Sequence, residues 1–180
     1  CNQILLINWN AQAAITAESF DTPAKMGNLL IFAPEGAGCT YEGNVVINGI
    51  AEKISLTHGK GFRSPQAFKA KDITYKRNFS MKSGNKINAA GWEAIVLPFD
   101  VQSFSNEKQG ELAPFNSGKK GAKPFWLAQM TTDGFEHTTA MKANKPYIIS
   151  LPNSESYEDE FNISGEVQFH AEDADGVEVK

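Results

Sequence analysis

Polar and apolar residues alternate one by one through DITYKRNFSMK. That period of two is the strongest constraint in the chain, because only a strand with one buried face puts alternate side chains on the same side. Ile73, Tyr75, Phe79 and Met81 carry the apolar phase with Arg77 as its exception, and Thr74, Lys76, Asn78, Ser80 and Lys82 carry the polar one. FNISGEVQFHA repeats the pattern with Phe161, Ile163, Val167 and Phe169 inward, and Gly165 marks a bulge or a close approach. In NVVINGIAEKISL, Asn48-Gly49 supplies the positive φ angles of a tight hairpin, and Ile50, Ile54 and Leu56 resume the phase after it. NLLIFA, GWEAIVLPF and KPYIISLP are apolar at both phases, as expected of inner strands covered on both faces.

Helix signals are few. Thr22-Pro23 and Ser64-Pro65 each put an N-cap residue before a proline at the first helical position, which predicts one or two turns at each. AQAAITAES has helical propensity without apolar recurrence at three and four. SFSNEKQGELAPFNSGKKGAK reads as a long connection whose Lys119, Lys120 and Lys123 form a solvated basic tip. The expectation is an all-β protein: a two-layer antiparallel β-sandwich, jelly-roll-like, with one or two short helical turns. Residues 1–180 are read as a single domain, whole or cut from a longer surface protein.

Composition narrows the partners. Hydrophobic residues make up 41% and charged residues 21%, with 12 phenylalanines, which supports a packed core. A net charge of −4 offers no long-range attraction to phosphate backbones or anionic lipid, so nucleic acid is not an expected partner. No apolar run approaches the roughly 18 residues of a membrane span, so membrane insertion is not expected either. Cys1 and Cys39 are too few for a disulfide framework and lack metal-site spacing. Cys1 fits a lipidated lipoprotein terminus, a disulfide to Cys39, or the end of a cut fragment.

Motifs that carry chemistry are scarce in the sequence. His58, His137 and His170 are far apart in sequence and sit in no metal-binding motif. No G-x-S-x-G elbow is present, and neither Gly59–Gly61 nor EGAGC ends as a phosphate loop does. Asp173, Asp175 and Gly176 form only a fragment of a calcium loop. No catalytic residue, cofactor or metal is therefore expected, and the chain reads as non-enzymatic. The rival is a glycan-active hydrolase using a carboxylate pair, Glu93 in its apolar strand and a distant acid such as Asp100. The plainer reading of Glu93 is a strand-end carboxylate paired with a cation such as Arg77.

Aromatic residues supply the remaining candidates. Trp9, Trp92 and Trp126 have flat faces that stack on sugar rings when exposed, although the neighbours of Trp92 suit a core. Trp126 directly follows Phe125 and so points to the opposite face of its strand. Trp126, with Tyr147 or Tyr157, is the candidate ligand-binding set.

Three stretches, LTHGKGFRSPQAFKAKDITYKRNFS, GWEAIVLPFD and MKANKPYIISL, resemble in that order a recurrent C-terminal or accessory region of secreted and surface proteins of Bacteroidetes. Its members commonly show a Leu-Thr-Asp-Gly turn, a strand ending Tyr-x-Arg, a Trp-x-Thr-Leu-x-Leu-Pro-Phe strand and an Ala-x-x-Pro-Tyr strand. NLLIFAPEG and NVVINGIAEKI look similar to the preceding part, so the likeness runs from about Asn28 to Leu151. His58 replaces the usual aspartate, and Glu93-Ala94 departs from the Trp-x-Thr pattern. The resemblance implies an extracellular or cell-surface, mostly β module of adhesin-like proteins, with polysaccharide or host glycoprotein as partner. It supplies no catalytic residue.

Overall fold

The structure is a computed structural model and describes residues 27–33, 43–84 and 90–180, together with the backbone of strand Ile4–Leu6. Cys1, Cys39, Trp9, the Thr22-Pro23 helix start, AQAAITAES and the EGAGC stretch lie outside the described residues. The strands are β1 (Ile4–Leu6), β2 (Leu30–Ala33), β3 (Asn44–Ile47), β4 (Ile50–Thr57), β5 (Phe68–Asn78) and β6 (Glu93–Ile95), then β7 (Ser103–Asn106), β8 (Gly110–Pro114), β9 (Lys123–Thr131), β10 (Gly134–His137), β11 (Tyr147–Ser150) and β12 (Glu166–Val179). No helix occurs among the described residues, so the protein is all-β. The chain divides into two compact units, Cys1–Tyr75 with Ala171–Lys180, and Lys76–His170.

In the first unit the strand order is β1-β2-β3-β4-β5-β12. The Asn48-Gly49 hairpin forms as expected: both residues have positive φ, 50° and 78°, and Ile47 pairs with Ile50. β1 and β2, and β2 and β3, instead pair parallel, which corrects the purely antiparallel expectation to a mixed pattern. Tight turns enforce antiparallel pairing, whereas the strand ends here are separated by 23 and 10 residues of chain, from Leu6 to Leu30 and from Ala33 to Asn44. Leu30, Ile31, Ala51, Ile54, Leu56, Phe68 and Ile73 are buried, and the rings of Phe32 and Phe68 meet edge to face.

Two buried asparagines extend the hydrogen bonding beyond the backbone ladders. Asn44 Oδ1 accepts the Ser55 N–H at 2.7 Å while its Nδ2 donates to Ser55 O at 3.1 Å. Asn28 treats Thr57 the same way, at 2.7 and 3.0 Å, and also donates to Lys60 O at 2.9 Å. Each amide thus behaves like a strand peptide toward its neighbour. The helical turn expected at Ser64-Pro65 is absent, and the segment bends instead. The Ser64 hydroxyl donates to Gln66 O rather than accepting an N–H from a first helical turn.

In the second unit the order is β12-β7-β8-β9-β11-β6, with β10 paired to β9. β8 and β9 pair parallel, whereas β12 with β7, β7 with β8, β9 with β11, β11 with β6 and β9 with β10 pair antiparallel. The long connection expected over residues 103–123 opens with the β7–β8 hairpin, where Phe104 is buried and Asn106 Oδ1 accepts the N–H groups of Lys108 and Gln109 at 3.0 and 3.1 Å, and only residues 115–122 remain a connection, with Lys119 and Lys120 exposed. The rings of Phe104, Phe125 and Phe169 form edge-to-face contacts at 5.1 and 5.6 Å. Phe161, expected inside, is exposed, whereas Ile163, Val167 and Phe169 are buried as their phase requires.

GWEAIVLPFD is the largest departure. It was expected to be a central strand covered on both faces, but only Glu93–Ile95 is strand, and it ends the order as an edge paired to β11 alone. Val96 is exposed at 55%, Trp92 is half-buried, and Leu97 and Phe99 are buried. The stretch begins at Gly91, whose φ is +70° and where a Cβ would lie 2.5 Å from Lys82 O. Gly110 has a similar φ of +73° with open space around it. Gly91→Ala is therefore expected to lower stability by about 3 kcal/mol or more, from left-handed strain plus a backbone clash, against roughly 1–2 kcal/mol for Gly110→Ala. Urea unfolding of both variants checks this, and equal losses would contradict it.

Candidate functional site

Register builds one face of the second unit from alternating residues. Ile148 of β11 pairs with both Ala94 of β6 and Ala128 of β9, and Ala128 pairs with His137 of β10. The neighbouring row runs through Pro146, Met130 and Phe135, with Met130 N–H donating to Pro146 O at 3.0 Å and Met130 paired to Phe135, and Val96 directly follows β6. Val96, Met130 and Phe135 are each 55% exposed, and Pro146 is exposed as well. The opposite phase, with Ile95, Tyr147, Ile149 and Leu127, is buried. One sheet face therefore faces the core, while the other presents Met130, Phe135 and Pro146 to solvent, with Ile148 half-buried and Ala128 and Ser150 buried among their neighbours.

Trp126 lies on the exposed phase of β9, opposite Ser150 of β11. It is half-buried, and its ring packs against Tyr157 at 6.0 Å with a 59° tilt. A recess of about 510 Å³ is lined by Phe115, Asn116, Trp126, His137, Thr138 and Thr139. That size is in the range of small-ligand sites, and the lining mixes aromatic faces with amide, hydroxyl and imidazole groups. Phe115 is exposed at the turn after β8, held by its N–H donating to Phe125 O at 2.7 Å.

Of the three expected ligand-binding residues, the structure brings Trp126 and Tyr157 together and separates Tyr147 from them. Tyr147 is 2% exposed, on the core phase, and its hydroxyl accepts the Lys142 N–H at 2.8 Å. It corrects the sequence reading: an alternating strand cannot offer Tyr147 to the same surface as Trp126. Phe115, Asn116, Phe135 and His137 were not anticipated. The Asp133-Gly134 dipeptide was the available signal, since it is a hairpin turn sequence that predicts β10 beside β9.

Glu93 belongs to the opposite, core phase. Its Oε2 meets Arg77 Nη2 at 2.5 Å, and its Oε1 accepts the N–H groups of Ser80 and Met81, each at 2.8 Å. Arg77 also donates to Ala94 O at 2.7 Å and lies 4.6 Å from the Phe79 ring centre. Partial burial alone would raise the Glu93 pKa. The Met81 N–H, the Arg77 hydrogen bond and charge, and the Ser80 N–H outweigh it, so the carboxyl is held below its ordinary value. Asp100 is engaged likewise, by Lys142 Nζ at 2.7 Å and the Ala143 N–H at 2.8 Å. Both are cation-paired carboxylates, the plainer of the two readings of Glu93.

The other candidates resolve as structure. His58 occupies its turn with Nδ1 2.8 Å from the Tyr75 hydroxyl, and His170 Nδ1 lies 3.5 Å from Ser103 Oγ. Asp173 and Asp175 fall inside β12, where Asp173 accepts the Asp175 N–H. No group of metal-ligating side chains is found among the described residues. Lys119 pairs with Glu111, and Lys123 lies over the Phe161 ring at 5.3 Å. No helix of the described residues is long and apolar enough to cross a membrane. No family model, curated protein or solved structure matches the chain.

A carboxyl with a depressed folded pKa stabilises the fold above its unfolded value and loses that contribution as pH falls through the folded value. Stability should thus hold above pH 4.5, the ordinary value, and fall as acid protonates Glu93 at lower pH. Glu93→Gln should flatten this part of the pH profile. Glu93→Ala, which strands the Arg77 guanidinium, should cost about 3–5 kcal/mol at neutral pH. Urea titrations across pH check both, and an unchanged acid slope in Glu93→Gln would refute the assignment.

Proposed function

We infer that this chain is a non-catalytic module acting outside the cell or at its surface, and that it binds polysaccharide or the glycan of a glycoprotein. The observation that carries this reading is the Trp126 recess: an aromatic face backed by Tyr157, beside Asn116, His137, Thr138 and Thr139. Sugars present apolar C–H faces and a rim of hydroxyls, which such a lining matches with stacking and hydrogen bonds. The extracellular setting rests on the resemblance to surface proteins of Bacteroidetes.

The hydrolase alternative draws no support from its named residues. Glu93 lies on the sheet phase opposite Trp126, and both it and Asp100 are engaged by cations and backbone N–H groups. A general acid needs a carboxyl kept protonated near neutral pH, and Glu93 is shifted the other way.

A glycan array probed with the intact chain is expected to give hits that Trp126→Ala weakens at least about tenfold, the scale of one lost aromatic platform. Far-UV circular dichroism should stay unchanged, because Trp126 is only half-buried. Hits indifferent to the substitution would remove this recess from the account. Hydrolysis of a polysaccharide panel, abolished by Glu93→Gln in a folded protein, would favour the enzyme instead.

A further inference from the structure

The recess occupies one corner of a larger surface. From Trp126 the same face continues along β9 through Ala128 to Met130, and β10 lays Phe135 beside Met130. Four residues of strand separate the Trp126 and Phe135 rows, or about 13 Å along the sheet. His137, on the row between them, is both a neighbour of Ala128 and part of the recess lining. A second aromatic ring, 55% exposed, therefore stands on the same face at a distance no single sugar spans.

The named positions of this face carry no formal charge. Its accessible positions, Ala94, Ile148, His137, Pro146, Met130, Phe135 and Trp126, hold no aspartate, glutamate, lysine or arginine, although such residues are 21% of the chain, and the small Ala128 and Ser150 between them are buried. The charged side chains nearby belong to the other phase, as Glu136 does, or to loops, as Lys145 does. An uncharged surface has no counter-ion to offer a uronate or a sulphate ester, and it imposes no desolvation cost of its own ions on a neutral chain.

We propose that the ligand is an uncharged polysaccharide bound along its length across the β6–β11–β9–β10 face, with Trp126 and Phe135 as two stacking platforms. This rests on the glycan-binding reading above and adds charge class and binding mode. Because both rings lie on one sheet, a chain long enough to reach Phe135 gains the second contact without a second loss of translational freedom. Phe135 sits at an exposed hairpin, so its truncation leaves the core intact.

Isothermal titration of the intact chain with cello-, xylo- and manno-oligosaccharides, from disaccharide to hexasaccharide, tests this beside oligogalacturonates of matched length. In at least one neutral series, affinity is expected to rise at least about tenfold from the disaccharide to the hexasaccharide. Phe135→Ala should abolish that gain and leave disaccharide binding unchanged, and Trp126→Ala should weaken both. Trp126-dependent binding with no length effect, or with tighter binding of oligogalacturonate, would overturn the proposal while leaving glycan binding in place. Absence of binding to any member, with sedimentation showing a dimer that Phe135→Ala dissociates, would overturn both and assign the face to self-association.

Discussion

Arg77 is a permanent cation at an apolar position of a half-buried strand, and the organisation around β6 depends on how that charge is met. One guanidinium nitrogen takes Glu93, the other takes the carbonyl of Ala94, and the plane rests on Phe79. The second carboxylate oxygen of Glu93 turns back to accept two N–H groups of the chain that leaves β5. A buried ion pair adds little over an apolar substitute, but losing either member leaves an unpaired charge out of water, so the arrangement is costly to break. It also uses an outward carbonyl of the edge strand, which would otherwise invite another chain to pair.

With Glu93 drawn to the core side, alternation leaves its neighbours on the other side of the sheet. Ala94 joins Ile148, Pro146, Met130 and Phe135 there, a face without formal charge whose Met130, Phe135 and Pro146 are exposed while Ala128 and Ser150 are buried. The same alternation that buries Tyr147 and Leu127 presents Trp126. The structural carboxylate and the candidate binding face are thus consequences of a single register, and the sheet keeps their chemistries apart.

Much of this architecture was legible in the residues. Period-two alternation identified the strand around Ile73 and the one around Val167, and Asn48-Gly49 marked its hairpin, because side-chain phase and turn geometry are local properties. Arg77 stood out as the break in its phase and Glu93 as its natural partner. What failed depends on neighbours. GWEAIVLPFD is apolar at both phases because Leu97 and Phe99 enter the core after the strand has ended, whereas Val96 lies on an exposed face; composition alone cannot separate that from a strand covered twice. Parallel pairing of β2 with β3 and of β8 with β9 leaves no turn signature at all. Tyr147 was grouped with Trp126 by residue type, and only the register of β11 against β9 shows that they face opposite ways.

The central claim is that ligand contact falls on the outer face of β9 and β10, while the Arg77–Glu93 brace serves the fold. Backbone amide chemical shifts, followed by NMR during titration with a neutral oligosaccharide, test it without altering a residue. The account predicts perturbations concentrated at residues 115–116, 126–130 and 134–139, with the amides of Ser80 and Met81, which report on Glu93, unmoved. Shifts centred on Ser80, Met81 and Glu93, with residues 126–139 silent, would contradict it.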